Sequence, residues 1–378
     1  MSEYQYYEFV AVDRPLTSVQ QRELRALSTR ARITSSSFVN DYQWGDLKGD
    51  PREWMQRYFD AFLYLANWGT HRVALRLPVA VLDPGTAAEY CVGKSACSWA
   101  TRTHVILDLH SEDEDGDEEY DGGGHLAAIL PARAELAVGD RRLLYLAWLL
   151  CVQNRELADD EPEPPVPPGL GDLSGPQRAL VDFLRLDPDL LDVAAEASTP
   201  LKKQTPSAAT LLRWVKTLPE PEKNDLVVRL MRGDDSHLRS ELLARFHGPA
   251  SNESTGAGRT AGELLAAADE RWSRRQQLAQ QREAAERERR ERAAAAAREQ
   301  RLNALAGRQE QEWQRVAVMI ETKRRKEYDA AIVLLCDLKA LADRDGDAEA
   351  FRQRVLQLRE RHARKPSLLD RLDRARLG

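Results

Sequence analysis

The chain has 378 residues and a net charge of −6, and 42% of its residues are hydrophobic and 31% charged. One hydrophobic core seldom grows beyond about 300 residues, so we expect two or three structural units. The apolar content excludes wholesale disorder, and four cysteines are too few for a disulfide scaffold in a chain of this length.

The N-terminal residues lack the basic and apolar regions of a secretory signal. The longest apolar stretch, residues 143–152, is far shorter than the ~20 residues that span a bilayer. We therefore expect a cytoplasmic protein with reduced thiols and no membrane partner. Abundant Arg and Ala with little Lys is typical of a bacterial protein from a GC-rich genome.

The charge is unevenly distributed along the chain. Residues 1–171 carry 27 acidic and 16 basic residues, which gives −11, and residues 172–257 carry 13 and 11, which gives −2. Residues 258–378 carry 21 and 28, which gives +7. A basic tail after an acidic head can attract the head, a second copy or a polyanion, and the charge alone does not choose among them.

Aromatic residues concentrate near the N-terminus, where 13 of the 25 precede residue 70. Residues 4–12 are rich in aromatic and β-branched side chains, which predicts a strand. Leucines at helical spacing predict a helix over residues 17–28. Residues 32–44 return to strand character, which a hairpin would also explain.

A second helix is predicted to begin at Asp50-Pro51, with Asp as the N-cap and Pro at the first helical position. The side chains expected on one face of this helix are Trp54, Tyr58, Phe62 and Leu65. Alternating residues then predict a strand over 71–77. The β-α-β-α-β order indicates an α+β sandwich, for which a ferredoxin-like layout is the most economical arrangement.

A strand over residues 103–109 and an apolar helix over 141–153 are expected to complete an aromatic-rich α+β domain of residues 1–160. The Pro-rich segment that follows, residues 161–171, is typical of a stiff polyproline linker, and a docked SH3-type ligand is the alternative.

Residues 172–248 repeat a capping residue, often a Pro, and a short amphipathic helix, which predicts a bundle of four or five short helices. The expected helix starts are Ser174-Gly175-Pro176, Asp187-Pro188 and Thr205-Pro206. Residues 249–258 are rich in Gly, Ser and Thr and are predicted to be a flexible linker.

Residues 259–378 are predicted to form a long charged helix followed by a C-terminal helical hairpin. Between residues 271 and 301 there are 10 Arg and 5 Glu but only one large aliphatic residue, Leu278, so this helix should be solvated. An apolar stripe follows at coiled-coil spacing, comprising Leu302, Leu305, Trp313, Val316, Ile320, Ala331, Leu335 and Leu338. Its partner within the chain would be residues 351–358, after a turn at residues 343–347.

Two motifs contain residue types that bind ligands in other proteins. Gly93-Lys94-Ser95 resembles the end of a phosphate-binding loop, but Ala88 occupies the position that requires the first Gly. Four side chains have the right atoms for zinc, Cys91, Cys97, His104 and His110, but structural zinc sites usually space their cysteines two to four residues apart. We therefore expect no cofactor or metal and treat these four as weak candidates.

The acidic run at residues 112–121 is the most unusual local feature. Its alternating Asp residues resemble a calcium loop, but Gly stands at the fourth position, whereas the loop requires it at the sixth. A solvated loop is the favoured interpretation, and weak divalent-metal binding or docking to a basic partner are the alternatives. Asp343, Asp345 and Asp347 fail the same test and are read as a turn.

Phosphate contacts by arginine would give salt-sensitive, sequence-independent binding of nucleic acid. The candidate residues are Arg271, Arg274, Arg275, Arg282, Arg287, Arg289, Arg290 and Arg292, and secondarily Lys323, Arg324, Arg325 and Lys326. The interleaved Glu residues neutralise half of the first group, so a solvated helix or coiled-coil spacer is favoured over a nucleic-acid site.

Several short segments form a recognisable pattern: Tyr7-Glu8-Phe9 with Arg14-Pro15-Leu16, Ala31-Arg32-Ile33-Thr34, the run from Tyr64 to His71, and the run from Pro164 to Leu170. With these segments the chain resembles a family of uncharacterised bacterial proteins over about residues 1–250. The resemblance implies no activity and no functional residues for this chain.

No diagnostic catalytic signature is present, so an enzyme is the less favoured interpretation. We expect a non-enzymatic interaction or scaffold protein that uses its charged helical tail for self-association or for docking a protein partner. The alternatives are a nucleic-acid-associated factor working through the Arg-rich helix and a hydrolase with a site near residues 108–121.

Overall fold

The computed structural model describes residues 4–113, 122–201, 207–232, 237–247 and 258–377. The chain divides into two compact units, Met1–Arg274 and Arg275–Gly378. The predicted linker at 249–258, except for Gly258, and residues 114–121 of the acidic run lie outside the described residues, as does the predicted helix start at Thr205-Pro206.

The described part of the first unit contains an antiparallel sheet. Its strands are β1 (Gln5–Val10), β2 (Arg32–Ile33), β3 (Ser37–Tyr42), β4 (Ala61–Ala66), β5 (Thr70–Pro78), β6 (Ala96–Ala100) and β7 (His104–Glu112). Their order across the sheet is β2-β3-β1-β4-β5-β7-β6. The α+β class is therefore confirmed.

The described part of the first unit also contains helices, some of which cover the two faces of the sheet. They are α1 (Ser18–Leu27), α2 (Pro51–Arg57), α3 (Pro84–Tyr90), α4 (His125–Ile129), α5 (Pro131–Ala137), α6 (Arg142–Gln153), α7 (Gly175–Phe183), α8 (Pro188–Ala195), α9 (Ala208–Thr217), α10 (Glu220–Arg232) and α11 (Leu238–His247). A further helix, α12 (Ala261–Ala306), begins in this unit and contributes Leu264 and Ala268 to its core.

Capping residues fix where several of these helices begin, as the sequence predicts. The Asp50 carboxylate accepts a hydrogen bond of 2.8 Å from the Arg52 backbone N–H, and Pro51 occupies the first helical position of α2. Ser174 caps α7 and Asp187 caps α8 in the same way. Each cap satisfies a backbone donor that the helix itself leaves unpaired.

Side chains alternate between the two faces of the sheet. Phe9, Phe38 and Phe62 face α1 and α2, where they pack with Leu24 and Trp54 in one hydrophobic cluster. The opposite face packs against the later helices in a larger cluster, to which β4, β5 and β7 contribute Leu63, Leu65, Val73, Leu75, Leu107 and Leu109. The sheet is therefore buried on both sides over most of its area.

The predicted extent of α2 was wrong. The helix ends at Arg57, and Phe62 and Leu65 lie on β4, where they point to opposite faces of the sheet. Residues 61–66 are nearly all apolar, and such a short run fits a buried strand as well as a helix. Pairing with β1 and β5 decides in favour of the strand.

The predicted domain divisions at 161–171 and 249–258 both fall inside the first unit. The Pro-rich segment is held at two points, because Glu163 pairs with Arg259 and the Tyr90 hydroxyl donates to the Pro165 carbonyl at 2.8 Å. Helices α7 and α8 pack into the same hydrophobic cluster as β5 and β7.

The second unit buries its own apolar stripe. Its helices after α12 are α13 (Gln309–Glu321), α14 (Arg325–Asp345), α15 (Ala348–Arg361) and α16 (Pro366–Arg374). From the predicted stripe, Trp313, Val316, Ile320, Ala331, Leu335 and Leu338 share one core with Phe351, Val355, Leu368 and Leu372. The hairpin of α14 and α15 turns at Gly346, whose φ of +83° favours glycine. The second unit is thus a helical bundle in which the α14–α15 hairpin packs with α13, and α16 adds a helix that was not predicted.

None of the described helices combines the length and the apolar character that a membrane crossing requires.

Candidate interaction surfaces

The Arg-rich part of α12 is solvent-exposed throughout. Every side chain from residue 271 to residue 301 is exposed, as the sequence predicts for a helix without an apolar stripe. Near its first-unit end, Arg271 pairs with Asp192 of α8 at 2.6 Å. Arg275, Arg282 and Arg289 lie on the same exposed stretch.

Glutamates on the same helix neutralise several of the other candidate arginines. Each of these pairs joins residues four apart: Arg274 with Glu270, Arg287 with Glu291, Arg290 with Glu286, and Arg292 with Glu288. The arginines therefore present a mixed-charge surface, which attracts a polyanion less strongly than a run of unpaired guanidinium groups. The secondary basic group, residues 323–326, spans the junction of α13 and α14.

The structure does not bring the four zinc candidates together. His104 and His110 lie at opposite ends of β7, about 20 Å apart at the rise of an extended strand. Cys97 stands on β6 opposite Asp108, and Cys91 ends α3. Among the described residues no group of three or more His, Cys, Asp or Glu side chains could hold a metal ion.

Burial makes the neighbouring thiols poor nucleophiles. It raises the pKa of Cys91 and Cys97, and it raises the pKa of Cys151 to about 12. A thiol attacks as the thiolate, and these thiols stay protonated at neutral pH.

The carboxylate at Asp108, part of the hydrolase hypothesis, is held by an arginine. Arg72 donates two hydrogen bonds to Asp108, at 2.6 and 2.8 Å, and the Asp108 side chain is only 8% exposed. This bidentate geometry is the strong form of an ion pair. Asp108 is therefore engaged within the sheet, and residues 114–121 of that hypothesis lie outside the described residues.

The loop at Gly93-Lys94-Ser95 binds a carboxylate of its own chain. Glu156 accepts hydrogen bonds from the Ser95 backbone N–H at 2.9 Å and from the Ser95 hydroxyl at 2.9 Å. A Cβ at Gly93 would come within 2.2 Å of the Glu156 carboxylate and 2.8 Å of Cys151 Sγ, so a larger residue here would displace the Glu156 side chain. The site that resembled a phosphate loop is thus filled by Glu156.

A network of buried ion pairs, which sequence reasoning missed, joins distant residues at one end of the central strands β1, β4 and β5. Asp60 is fully buried and accepts from Arg76 at 2.6 Å. Asp13 accepts from Arg133 at 2.5 Å and lies 2.6 Å from His237 Nε2. These residues are far apart in the sequence, so no local pattern could have indicated the cluster.

A histidine on β5 is fixed as a neutral tautomer. His71 Nε2 lies 3.2 Å from the Arg185 guanidinium and must accept, so Nδ1 carries the proton and donates to the Phe183 carbonyl. Burial is the main reason that the pKa of His71 is lowered. Ser111, opposite His71 on β7, has a buried hydroxyl without a hydrogen-bond partner among the described residues. Because both His71 nitrogens are engaged, His71 cannot act as a base for Ser111.

Helices α9 and α10 leave large apolar side chains in contact with water. Neither helix has a buried residue. Leu212 and Val215 are exposed on α9, and Val227, Leu230 and Met231 are exposed on α10, the last two at 71% and 81%. Val227, Leu230 and Met231 are spaced i, i+3, i+4 and so form one stripe. The sequence predicted amphipathic helices here but could not show that this stripe stays uncovered.

No protein-family model, no curated protein and no solved structure matches this chain.

Proposed function

We propose that this chain is a non-enzymatic interaction protein that self-associates through helices α9 and α10. Two features support the proposal. In the first unit, internal ion pairs or hydrogen bonds engage the carboxylates that could otherwise act in catalysis, those of Asp108, Glu156 and Asp60. Large apolar side chains, by contrast, remain at the surface of two neighbouring helices.

The observation that carries the proposal is the stripe of Val227, Leu230 and Met231, which the described residues of the chain leave exposed. Surface apolar residues are common singly, but three exposed apolar side chains on one face of a helix mark an interaction site, and α9 exposes two more, Leu212 and Val215. Fully burying one Leu or Met side chain contributes roughly 1.5–3 kcal/mol, so covering the stripe would contribute several kcal/mol to association.

A second copy of the chain is the partner that we favour. Helices of 10 and 13 residues are marginal on their own in water, and α9 and α10 gain no buried residue from the rest of the described chain. A second copy presents the same two stripes, and a two-fold axis would let each stripe cover the other.

The charged tail remains part of the proposal, with a narrower role. Its apolar stripe, including Leu335 and Leu338, is buried within its own unit. Docking through the tail would therefore rely on the charged side chains of residues 271–301, which makes it sensitive to salt.

Light scattering of the full chain at increasing concentration tests self-association. We expect a dimer that the double substitution Leu230→Glu, Met231→Glu converts to a monomer, because two carboxylates cannot be buried in an apolar contact. The control is Val333→Glu, an exposed apolar residue of α14, which should leave the dimer intact. A wild-type chain that stays monomeric at the highest concentration would contradict the proposal.

A nucleic-acid-associated factor is the alternative, supported by the full exposure of Arg287, Arg289 and Arg290. It requires binding of mixed DNA or RNA that weakens steeply as salt rises and that is lost when these three residues are changed to Gln. The second alternative is a hydrolase with a site in the first unit. None of the contacts described above supports it.

We propose in addition that β1 to β4 with α1 and α2 form a ferredoxin-like unit. The strand order β2-β3-β1-β4, with α1 between β1 and β2 and α2 between β3 and β4, supports it. So does the packing of both helices in one cluster on the same face of the sheet. A cytoplasmic location and a bacterial origin also remain proposals, supported by composition alone.

A further inference from the structure

Strand β6 is an edge strand of the sheet. Two hydrogen bonds to β7 show which of its backbone groups point toward β7 and which point away. The His110 N–H donates to the Ser95 carbonyl at 2.8 Å, and the Thr101 N–H donates to the His104 carbonyl at 2.8 Å. Hydrogen-bonded residues alternate along an antiparallel strand, so Cys97 and Trp99 bond to β7. The backbone N–H and C=O groups of Ala96, Ser98 and Ala100 therefore point away from β7.

These outward groups form an open edge at residues 98–100. The Ala96 carbonyl accepts from the Gly93 N–H at 3.1 Å. In the described part of the chain, the N–H and C=O groups of Ser98 and Ala100 have no hydrogen-bond partner. Ser98 is half-buried and Ala100 is exposed.

The edge lacks the usual protection against added strands. Natural edges are blunted by proline, by charged residues, by a bulge or by being very short. Strand β2, at the other end of the sheet, has only two residues. Strand β6 has five, and none of them is charged or a proline.

Basic residues flank the edge, and the nearby Glu156 carboxylate is already engaged by Ser95. Lys94 and Arg102 are exposed on either side of β6, and the Arg52 guanidinium lies 4.2 Å from the centre of the Trp99 indole ring. If a second copy paired symmetrically about Ser98, Lys94 of each copy would stand opposite Arg102 of the other copy. This juxtaposition of two positive charges is unfavourable. A strand with carboxylates at its ends would instead find a cation at each end.

We propose that the edge of β6 at Ser98 and Ala100 binds an extended acidic peptide as an additional strand. Main-chain hydrogen bonds to Ser98 and Ala100 provide the attachment, and Lys94 and Arg102 select for acidic ends. This site is separate from the stripes on α9 and α10 and does not depend on self-association.

Fluorescence anisotropy with the full chain tests the proposal. The probes are two labelled nine-residue peptides with blocked ends, Glu-Thr-Val-Thr-Val-Thr-Val-Thr-Glu and Lys-Thr-Val-Thr-Val-Thr-Val-Thr-Lys, whose end residues can stand opposite Lys94 and Arg102. We expect the acidic peptide to bind at least tenfold more tightly, and this preference should shrink as salt rises.

Substitutions at the edge provide the matched comparison. Ser98→Pro removes an outward N–H that takes no part in the pairing with β7, so we expect at least a tenfold loss of binding in a folded chain. Ser98→Thr keeps the N–H and should bind normally. Arg102→Glu lies outside the strand and should weaken the acidic peptide while strengthening the basic one, which keeps the test informative if Ser98→Pro fails to fold.

Three results would overturn the proposal. One is the absence of binding at millimolar peptide, and another is equal binding of the acidic and basic peptides. The third is a dimer that Ser98→Pro dissociates and that Leu230→Glu, Met231→Glu leaves intact, because a second copy would then be the strand that occupies the edge. Loss of self-association in the α9 and α10 variants alone would leave the edge proposal untouched.

Discussion

Ion pairs occur both at one end of the central strands of the first unit and on the exposed stretch of α12, but the first are buried and the second are surrounded by water. The Asp60 side chain is 1% exposed and its Arg76 partner is 11% exposed. On α12 the Arg290 and Glu286 side chains are 77% and 50% exposed. The distance between the charged atoms is almost the same, 2.6 Å and 2.5 Å.

The comparison shows that the distance between two charges does not determine their contribution to stability. Water around the α12 pair solvates each charge whether or not the pair forms, so losing one partner costs little. Around Asp60 no water can replace a lost partner, and a charge left alone there is strongly unfavourable. Substitutions at the two places should therefore have very different effects.

The largest effect is expected for Asp60→Ala. The substitution leaves the Arg76 guanidinium without its carboxylate, and it also removes the acceptor of the Val12 and Asp13 backbone N–H groups. Breaking a buried pair in this way costs about 3–5 kcal/mol. Urea-dependent hydrogen exchange at the β1 and β4 amides would measure the loss as a lower free energy of unfolding.

The control for this variant is Asp329→Ala, which breaks the pair of the 64% exposed Asp329 with Arg371. We expect its effect, measured on the amides of α14, to stay within about 1 kcal/mol. If both substitutions cost the same, burial would not be the factor that distinguishes the two kinds of pair.

An effect of intermediate size is expected when the pH is lowered, because protonation of Asp13 reduces the free energy of unfolding of the first unit. Burial alone would raise the pKa of Asp13, but hydrogen bonds and charge from His237 and Arg133 outweigh it and hold the pKa well below the usual value near 3.9. Because the pKa is lower in the folded state, the unfolded chain binds the proton more readily. This contribution to stability is complete above the unfolded pKa and is lost as pH falls from about 4 toward the folded pKa.

Asp13→Asn should make the free energy of unfolding depend less on pH below about pH 4. The amide has no proton to bind in this range, so the free energy of unfolding of the first unit should fall less steeply below pH 4 than in the wild type. Urea unfolding between pH 2.5 and 6 measures both slopes. Identical slopes would mean that Asp13 does not have the lowered pKa that its contacts indicate.

The local features of the fold were accessible from the sequence because a few neighbouring residues determine them. Asp50-Pro51 begins α2 as predicted, since a capping carboxylate and a preset φ act within one helical turn. The exposed Arg-rich stretch of α12 was predicted for the same reason, because its composition lacks an apolar stripe at any spacing.

The features that depend on distant partners could not be predicted. Phe62 and Leu65 became part of β4 because β1 and β5 were available on either side, and nothing in residues 61–66 identifies those neighbours. The ion pair of Asp13 and His237 joins residues 224 positions apart. Whether Leu230 is covered or exposed likewise depends on the surrounding chain, which helical spacing does not reveal.

The smallest effect is expected for the pair of Arg290 and Glu286 on α12. Exposed pairs at i, i+4 contribute about 0.3–0.5 kcal/mol, and salt screens them. A double-mutant cycle with Arg290→Ala, Glu286→Ala and both together isolates this coupling from the helix propensity of each residue. We expect hydrogen exchange of residues 283–295 to report a coupling of that size at low salt and almost none at 1 M salt. A coupling above about 1 kcal/mol that persists in high salt would mean that this stretch is shielded from water, for example by another copy of the chain, and the contrast with Asp60 would no longer hold.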